Sequence, residues 1–210
     1  ANATALMIAR GGKLMAEGTV DSPIIFTSVA DKILPGEVAS PNLEPNISGL
    51  WGGLLILGKA PVSDEAEAMQ IEGIPASDLN GLYGGTDPAD NSGVLKYISI
   101  RHGGANIGEG NEINGLTLGG VGSGTIIENI EIVSNDDDGI EWFGGTVNVK
   151  NVVVWNTGDD AIDTDQSWGG TLDNFIIINP GDECLELDGP EGTMVAKHTI
   201  KNGTVYACPL

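Results

Sequence analysis

Three stretches of this chain repeat one another: SNDDDGIEWFGG from Ser134, NTGDDAIDTDQS from Asn156 and NPGDECLELDGP from Asn179. They align without a gap, and their starting positions set a period of about 22 residues. The alignment places Asp137, Asp159 and Asp182 in one column and Asp138, Asp160 and Glu183 in the next. A third acidic column holds Glu141, Asp163 and Glu186, and Asp165 and Asp188 follow two positions after the last two of these. Repeats of this length make solenoids, because a single unit can bury its apolar face only by stacking on its neighbours. Rungs about 5 Å apart would set these carboxylates over one another.

The repeat extends on both sides. Leu116 and Thr117 fall one coil before Ile140 and Glu141, and Glu112 and Asn114 are expected in the columns of Asp137 and Asp138. Between the acidic motifs runs a column of asparagines, Asn129, Asn151, Asn174 and Asn202, one coil apart with a longer last step. Each closes a polar pair before a β-branched or apolar run, IEIV, VVVW, FIII or GTVY. Asparagine tolerates turn backbone that strains other residues, and stacked asparagines can bond along an axis, so this column reads as a structural ladder. The longer last step leaves room for a loop across PEGTMVAK.

Each repeat alternates short β-rich runs with Gly, Asn and Asp turns and shows no sustained helical period. Ile140, Ile162 and Leu185 are expected to point inward, so Glu141, Asp163 and Glu186 point outward. One period of this length divides into three strands and three turns, which is the unit of an all-β, right-handed parallel β-helix. The six- and nine-residue periods of left-handed helices and calcium rolls do not occur. The 210 residues, with 32 glycines for repeated turning, read as a single β-helix domain over 1–210. Residues 1–110 form irregular coils and 111–210 regular coils carrying the acidic ladder. Two loop insertions rich in Pro, Gly and acids interrupt the first part, near 30–48 and 61–91, and SDEAEAMQ in the second is expected to make a helical turn or two. The lack of an initiator Met and of a cap signature reads as a piece of a longer protein, with ends open to assembly.

GGKLMAEGTVDSPIIFTS, GLWGGLLILGKAPV and SGVLKYISIRHGGA closely resemble the opening coils of pectin-lyase-like right-handed β-helix proteins. More narrowly, they resemble secreted and lipid-anchored surface β-helix proteins of Bacteroidota. That resemblance implies the fold, and an extracellular or outer-surface location, far more than an activity. Paired acids in NTGDDAID are similar to part of the polygalacturonase pattern, in which one carboxyl donates and another accepts a proton. The accompanying GHG is missing, and KHTIKN, with Lys197, His198 and Lys201, matches the basic run weakly. Pectate lyases pair calcium-binding acids with an Arg or Lys base; Arg101 with His102, and Lys150, are the nearest bases here.

With 30 acids against 9 bases, a net charge of −21 excludes nucleic acid and anionic membranes as partners. No 18-residue apolar run exists, so no transmembrane segment is expected. From Ser134 to Asp188 there are 13 acids and one base, Lys150. Two carboxylates about 5 Å apart repel by roughly 3 kcal/mol at an effective dielectric near 20. Such a lattice needs solvation, protons or cations, and an all-oxygen donor set suits Ca²⁺. The candidate ligands are Asp137, Asp138, Glu141, Asp159, Asp160, Asp163, Asp165, Asp182, Glu183, Glu186 and Asp188. The plainer alternative is that each aspartate serves its turn.

Trp142 shares the inward parity of Ile140, while Phe143 and Trp168 are read either as exposed rings beside the acids, fit to hold a sugar, or equally as rings packed under loops. Cys184 and Cys208, one coil apart, permit a disulfide in an oxidising setting. The chain thus reads as a calcium-stabilised extracellular binding or structural module, part of an adhesin or larger assembly, with carbohydrate or surface proteins as partners. The alternative is a polysaccharide lyase or glycoside hydrolase acting on acidic glycans.

Overall fold

The computed structural model describes residues 4–64, 66, 68–106 and 113–207. Glu112 and Cys208 lie outside the described residues, and with them the fourth member of the Asp137 column and the partner expected for Cys184. The first coils supply β1 (Leu6–Ile8), β2 (Leu14–Glu17), β3 (Ile24–Phe26) and β4 (Leu54–Leu57). The second insertion holds β5 (Met69–Gln70) and β6 (Leu82–Tyr83), which pair with each other antiparallel. Then follow β7 (Gly93–Arg101), β8 (Leu116–Gly119), β9 (Ile126–Val133), β10 (Ile140–Phe143) and β11 (Val149–Trp155). The last are β12 (Ile162–Asp165), β13 (Thr171–Ile178), β14 (Glu186–Leu187) and β15 (Thr199–Tyr206).

These strands stack into a right-handed parallel β-helix. One sheet runs β1-β4-β8-β10-β12-β14, and a second runs β15-β13-β11-β9-β7-β2 with β3 also on β7. We call them sheets A and B. Ile140 is paired with Ile162 and Glu141 with Asp163, and Asp163 with Glu186, which is the expected acid register. Leu116 and Thr117 are paired with Ile140 and Glu141 in the same way.

Two of the three strands expected per coil are joined in sheet B through one residue of left-handed backbone. Asn129, Asn151, Asn174 and Asn202 hold φ of 60°, 57°, 62° and 60°, each interrupting a strand at the same rung position. Tyr97, at φ 51°, stands in the same column one coil earlier. The corner shifts the alternation by one, so Leu95, Ile98 and Ile100 all face the core although a plain strand could not present them together. Along the column Asn151 Nδ2 donates to Asn129 Oδ1 at 2.9 Å and Asn174 Nδ2 to Asn151 Oδ1 at 2.8 Å. Asn202 departs and donates to Asp173 Oδ1 at 2.7 Å.

Asn151→Ala should therefore lower stability by about 2 kcal/mol, from the lost amide bonds and the cost of left-handed backbone on alanine. Asn151→Gly keeps the backbone freedom and should recover about half of that loss. Thermal melts compare the two, and equal midpoints for native and Asn151→Ala protein would remove the ladder from the account of stability.

A second left-handed column, which the repeat did not disclose, closes the far end of each sheet-B strand: His102, Ser134, Asn156 and Asn179, at φ 60°, 58°, 57° and 57°. The core between the sheets is built from Leu, Ile and Val, with Trp142 fully buried, in agreement with its inward parity. The second insertion has Met69 and Gln70 extended at the end of SDEAEAMQ, where a helical turn or two is expected, and Glu65 and Glu67 of that stretch lie outside the described residues. It folds over the outer face of sheet A, where Val62, Ile71 and Tyr83 bury Leu55, Leu57 and Phe143.

Candidate cation site in the acid columns

Outward positions of sheet A change character along the helix axis. One column runs Leu55, Thr117, Glu141, Asp163, Glu186, and the next Leu57, Gly119, Phe143, Asp165. Apolar members lie under the second insertion, and acids take over beyond it. Glu141 and Asp163 do face out from the sheet, yet they are only 5% and 9% exposed. Of solvation, protons or cations, burial leaves this part of the ladder the last two.

Asp138, Glu141 and Asp163 each bring a carboxylate oxygen within 4.8 Å of the other two. Asp137, Asp138 and Asp159 form a second such group, so Asp138 belongs to both. Asn114, 1% exposed, stands in the column of Asp138 and donates through Nδ2 to Glu141 Oε2 and, at 3.4 Å, to Glu72 Oε1. Its own Oδ1 and the Oδ1 of Asp163 are buried without a hydrogen-bond partner among the described residues.

The Asp138 column also serves the turns. Asp138 Oδ1 accepts from the Asp160 amide at 3.0 Å, and Asp160 Oδ1 from the Glu183 amide at 2.6 Å. Each carboxylate thus anchors the next coil, which is the turn role weighed against ligation in the sequence.

Electrostatics follow from burial. Loss of water, then the charges of Asp137 and Asp163, push Asp138 up to about 9. Burial and its contact with Glu186 push Asp160 up to about 8. Asp163 rises to about 7 through burial and Asp165, although a hydrogen bond with Glu141 works the other way. Glu141 is driven well above the ordinary carboxylate range by burial, then by Glu72 and Asp163, and burial also raises Asp165. Near neutral pH these groups hold protons or a cation between them. An all-oxygen set with two unsatisfied buried oxygens suits a hard divalent cation such as calcium, with Asp138, Glu141, Asp163 and Asn114 as the residues to hold it.

Other expected positions continue the columns, with Glu186 in register beside Asp163 and the Glu183 amide bonded to Asp160. Asp182, Glu183, Glu186 and Asp188 are exposed, toward the end of the stack formed by β14. Phe143 and Trp168 are not exposed rings: Phe143 packs 5.8 Å from Tyr83, and Trp168 stacks 4.6 Å from Trp142. Glu72 escapes a sequence reading because the loop that carries it has no repeat to place it, and Asn114 is placed in its column by the repeat without being marked as a ligand. The bases considered for catalysis stand in other surroundings. Arg101 pairs with Glu131, Lys150 with Glu128 and Lys201 with Asp173, all in sheet B. His102 is buried with Nδ1 2.5 Å from Ile47 O, and His198 stacks on Trp168.

Parallel rungs closed by left-handed corners, with carboxylates lined up along one sheet, define a right-handed parallel β-helix. The chain belongs to the family described as pectate-lyase-like beta helix domain, whose pattern matches residues 1–208. No curated protein and no solved structure matches it significantly.

Proposed function

We propose that this chain is a calcium-stabilised β-helix module of an extracellular or cell-surface protein, serving binding or structure within an adhesin or larger assembly. The observation that carries the reading is the buried trio Asp138, Glu141 and Asp163, one oxygen of each within 4.8 Å of the others. Like charges so placed favour a cation that joins successive coils, and extracellular modules work with millimolar calcium. The narrower likeness to bacterial surface proteins agrees with that setting. A lyase would need an Arg or Lys base beside the acids, whereas Arg101, Lys150 and Lys201 are engaged on the other sheet.

Calorimetric titration of calcium into metal-stripped protein tests this. Saturable binding with Kd of about 10⁻³ M or tighter is expected. The double variant Glu141→Gln, Asp163→Asn should weaken it by roughly tenfold or more, since two of the three charges are removed. Absence of any calcium heat in the native protein would leave the acids to protons and turn hydrogen bonds alone.

A further inference from the structure

Sheet B carries a cavity of about 330 Å³ on its outer face, roofed by the first insertion. Its floor is Arg101, Val133 and Trp155, consecutive members of one column, with Glu131 in the column beside them. Its wall is the loop from Val38 to Pro45.

The second left-handed column holds that wall in place. Ser134 Oγ and Asn156 Nδ2 both donate to Pro45 O, the latter at 2.5 Å. His102 Nδ1 meets Ile47 O, and Arg101 Nη1 donates to Val38 O at 2.7 Å. Asp31 ties the loop internally by accepting from Ser40 Oγ at 2.7 Å and Thr27 Oγ1 at 3.0 Å. A cavity whose wall is bonded at this many points is formed before any ligand arrives, which lowers the ordering cost of binding.

Charge within it is balanced. Arg101 donates from Nη2 to Glu131 Oε2 at 3.1 Å and from Nε to Ser99 Oγ at 2.6 Å, and Ser99 donates to the same Glu131 oxygen. Glu131 Oε1 has no donor among the described residues, and 41% of its side chain is exposed. Trp155 is 36% exposed and lies diagonal to Glu131 across adjacent rungs, about 7 Å away. From Trp155 the same column continues through Ile178 to Tyr206, which is 65% exposed and two rungs on, about 9.6 Å away.

We infer that this cavity and the Trp155–Ile178–Tyr206 column form a binding site for a neutral oligosaccharide. A pyranose offers an apolar C–H face to a ring and hydroxyl donors around its rim, matching Trp155 beside a free carboxylate oxygen. A second aromatic ring further along the column suits a chain rather than a single sugar. Polyanions are opposed by Glu44 on the rim and by the net charge of −21, and a cationic ligand would meet the Arg101 guanidinium in the floor. The site goes beyond the cation reading and lies on the other sheet.

The test is calorimetry of the full chain against hexaoses of glucose, mannose, xylose, galactose and N-acetylglucosamine, with hexagalacturonate and pentalysine as charged probes. At least one neutral hexaose should bind, with equal affinity in calcium and in chelator below the melting temperature. That equality separates this site from the acid columns. Trp155→Ala should weaken binding by about tenfold or more, and Tyr206→Ala should weaken the hexaose but not the corresponding biose. Tyr206 is 65% exposed, so Tyr206→Ala should melt as the native protein does; Trp155 is 36% exposed, so Trp155→Ala should lower the midpoint modestly while the chain stays folded at the assay temperature. No binding by any neutral hexaose, binding only by a charged probe, or binding unaffected by Trp155→Ala would overturn the inference.

Discussion

In chelator, the melting temperature of this protein should fall as pH rises from 3.8 towards about 9, and calcium, if it holds the proposed site, should restore it at the alkaline end. The sign comes from proton linkage. Asp138, Asp160 and Asp163 have folded-state values of about 9, 8 and 7, all above the ordinary 3.8, so between those limits the folded chain binds more protons than the unfolded chain. Stability associated with those protons is fully present below the unfolded value and is lost as pH passes through the folded ones. The loss is on the order of a few kcal/mol, well below the full sum of the three shifts because solvent still screens part of each interaction. For a chain of this size that corresponds to roughly 10 °C.

The proposed calcium would replace those protons, so its binding should release protons and its stabilising effect should grow with pH. Melts at acidic, neutral and alkaline pH, each with chelator and with excess calcium, check both parts. Midpoints in chelator that stay level or rise with pH would mean that Asp138, Asp160 and Asp163 ionise freely in the folded state. A decline that calcium fails to reverse would keep the buried acids and remove the cation.

Register is legible because it is carried by columns of identical chemistry. Glu141, Asp163 and Glu186, or Asn129 and Asn151, can be aligned by eye, and stacking makes each alignment a spatial neighbour relation. Tyr97 and His102 occupy the two left-handed columns without sharing their residue types, so chemistry gives no sign of them. What covers the outer face of sheet A is hidden as well. The hydrogen bond from Asn114 to Glu72 spans 42 residues and the one from Ser63 to Gln166 spans 103, and neither repeats. Parity correctly turns Glu141 outward, but it says nothing of exposure, and Glu141 is buried beside Asn114, which also reaches Glu72 of the second insertion.

Trp168→Ala is expected to destabilise the chain by about 3–5 kcal/mol, lowering the melting temperature by roughly 10 °C or more. Sequence alone leaves the ring either exposed or packed, and Gln166 and Ser167 adopt left-handed backbone at φ 53° and 57° and reset the direction of the chain just before it. The indole, 1% exposed, lies in a stack along the helix axis, 4.6 Å from Trp142 and 5.7 Å from His198, and its Nε1 donates to Val147 O at 3.0 Å. Removing it opens a cavity between successive coils and strands a buried carbonyl, two separate costs. Trp168→Phe keeps much of the ring contact and loses only the hydrogen bond, so it should fall between the native protein and Trp168→Ala. Trp155→Ala, on the outer face of sheet B, is the matched control and should lower the midpoint only modestly. If Trp168→Ala melted with the native protein while abolishing saccharide binding, the ring would belong to a ligand surface after all; the expected order of stability is native, Trp168→Phe, Trp168→Ala, because this indole joins coils together.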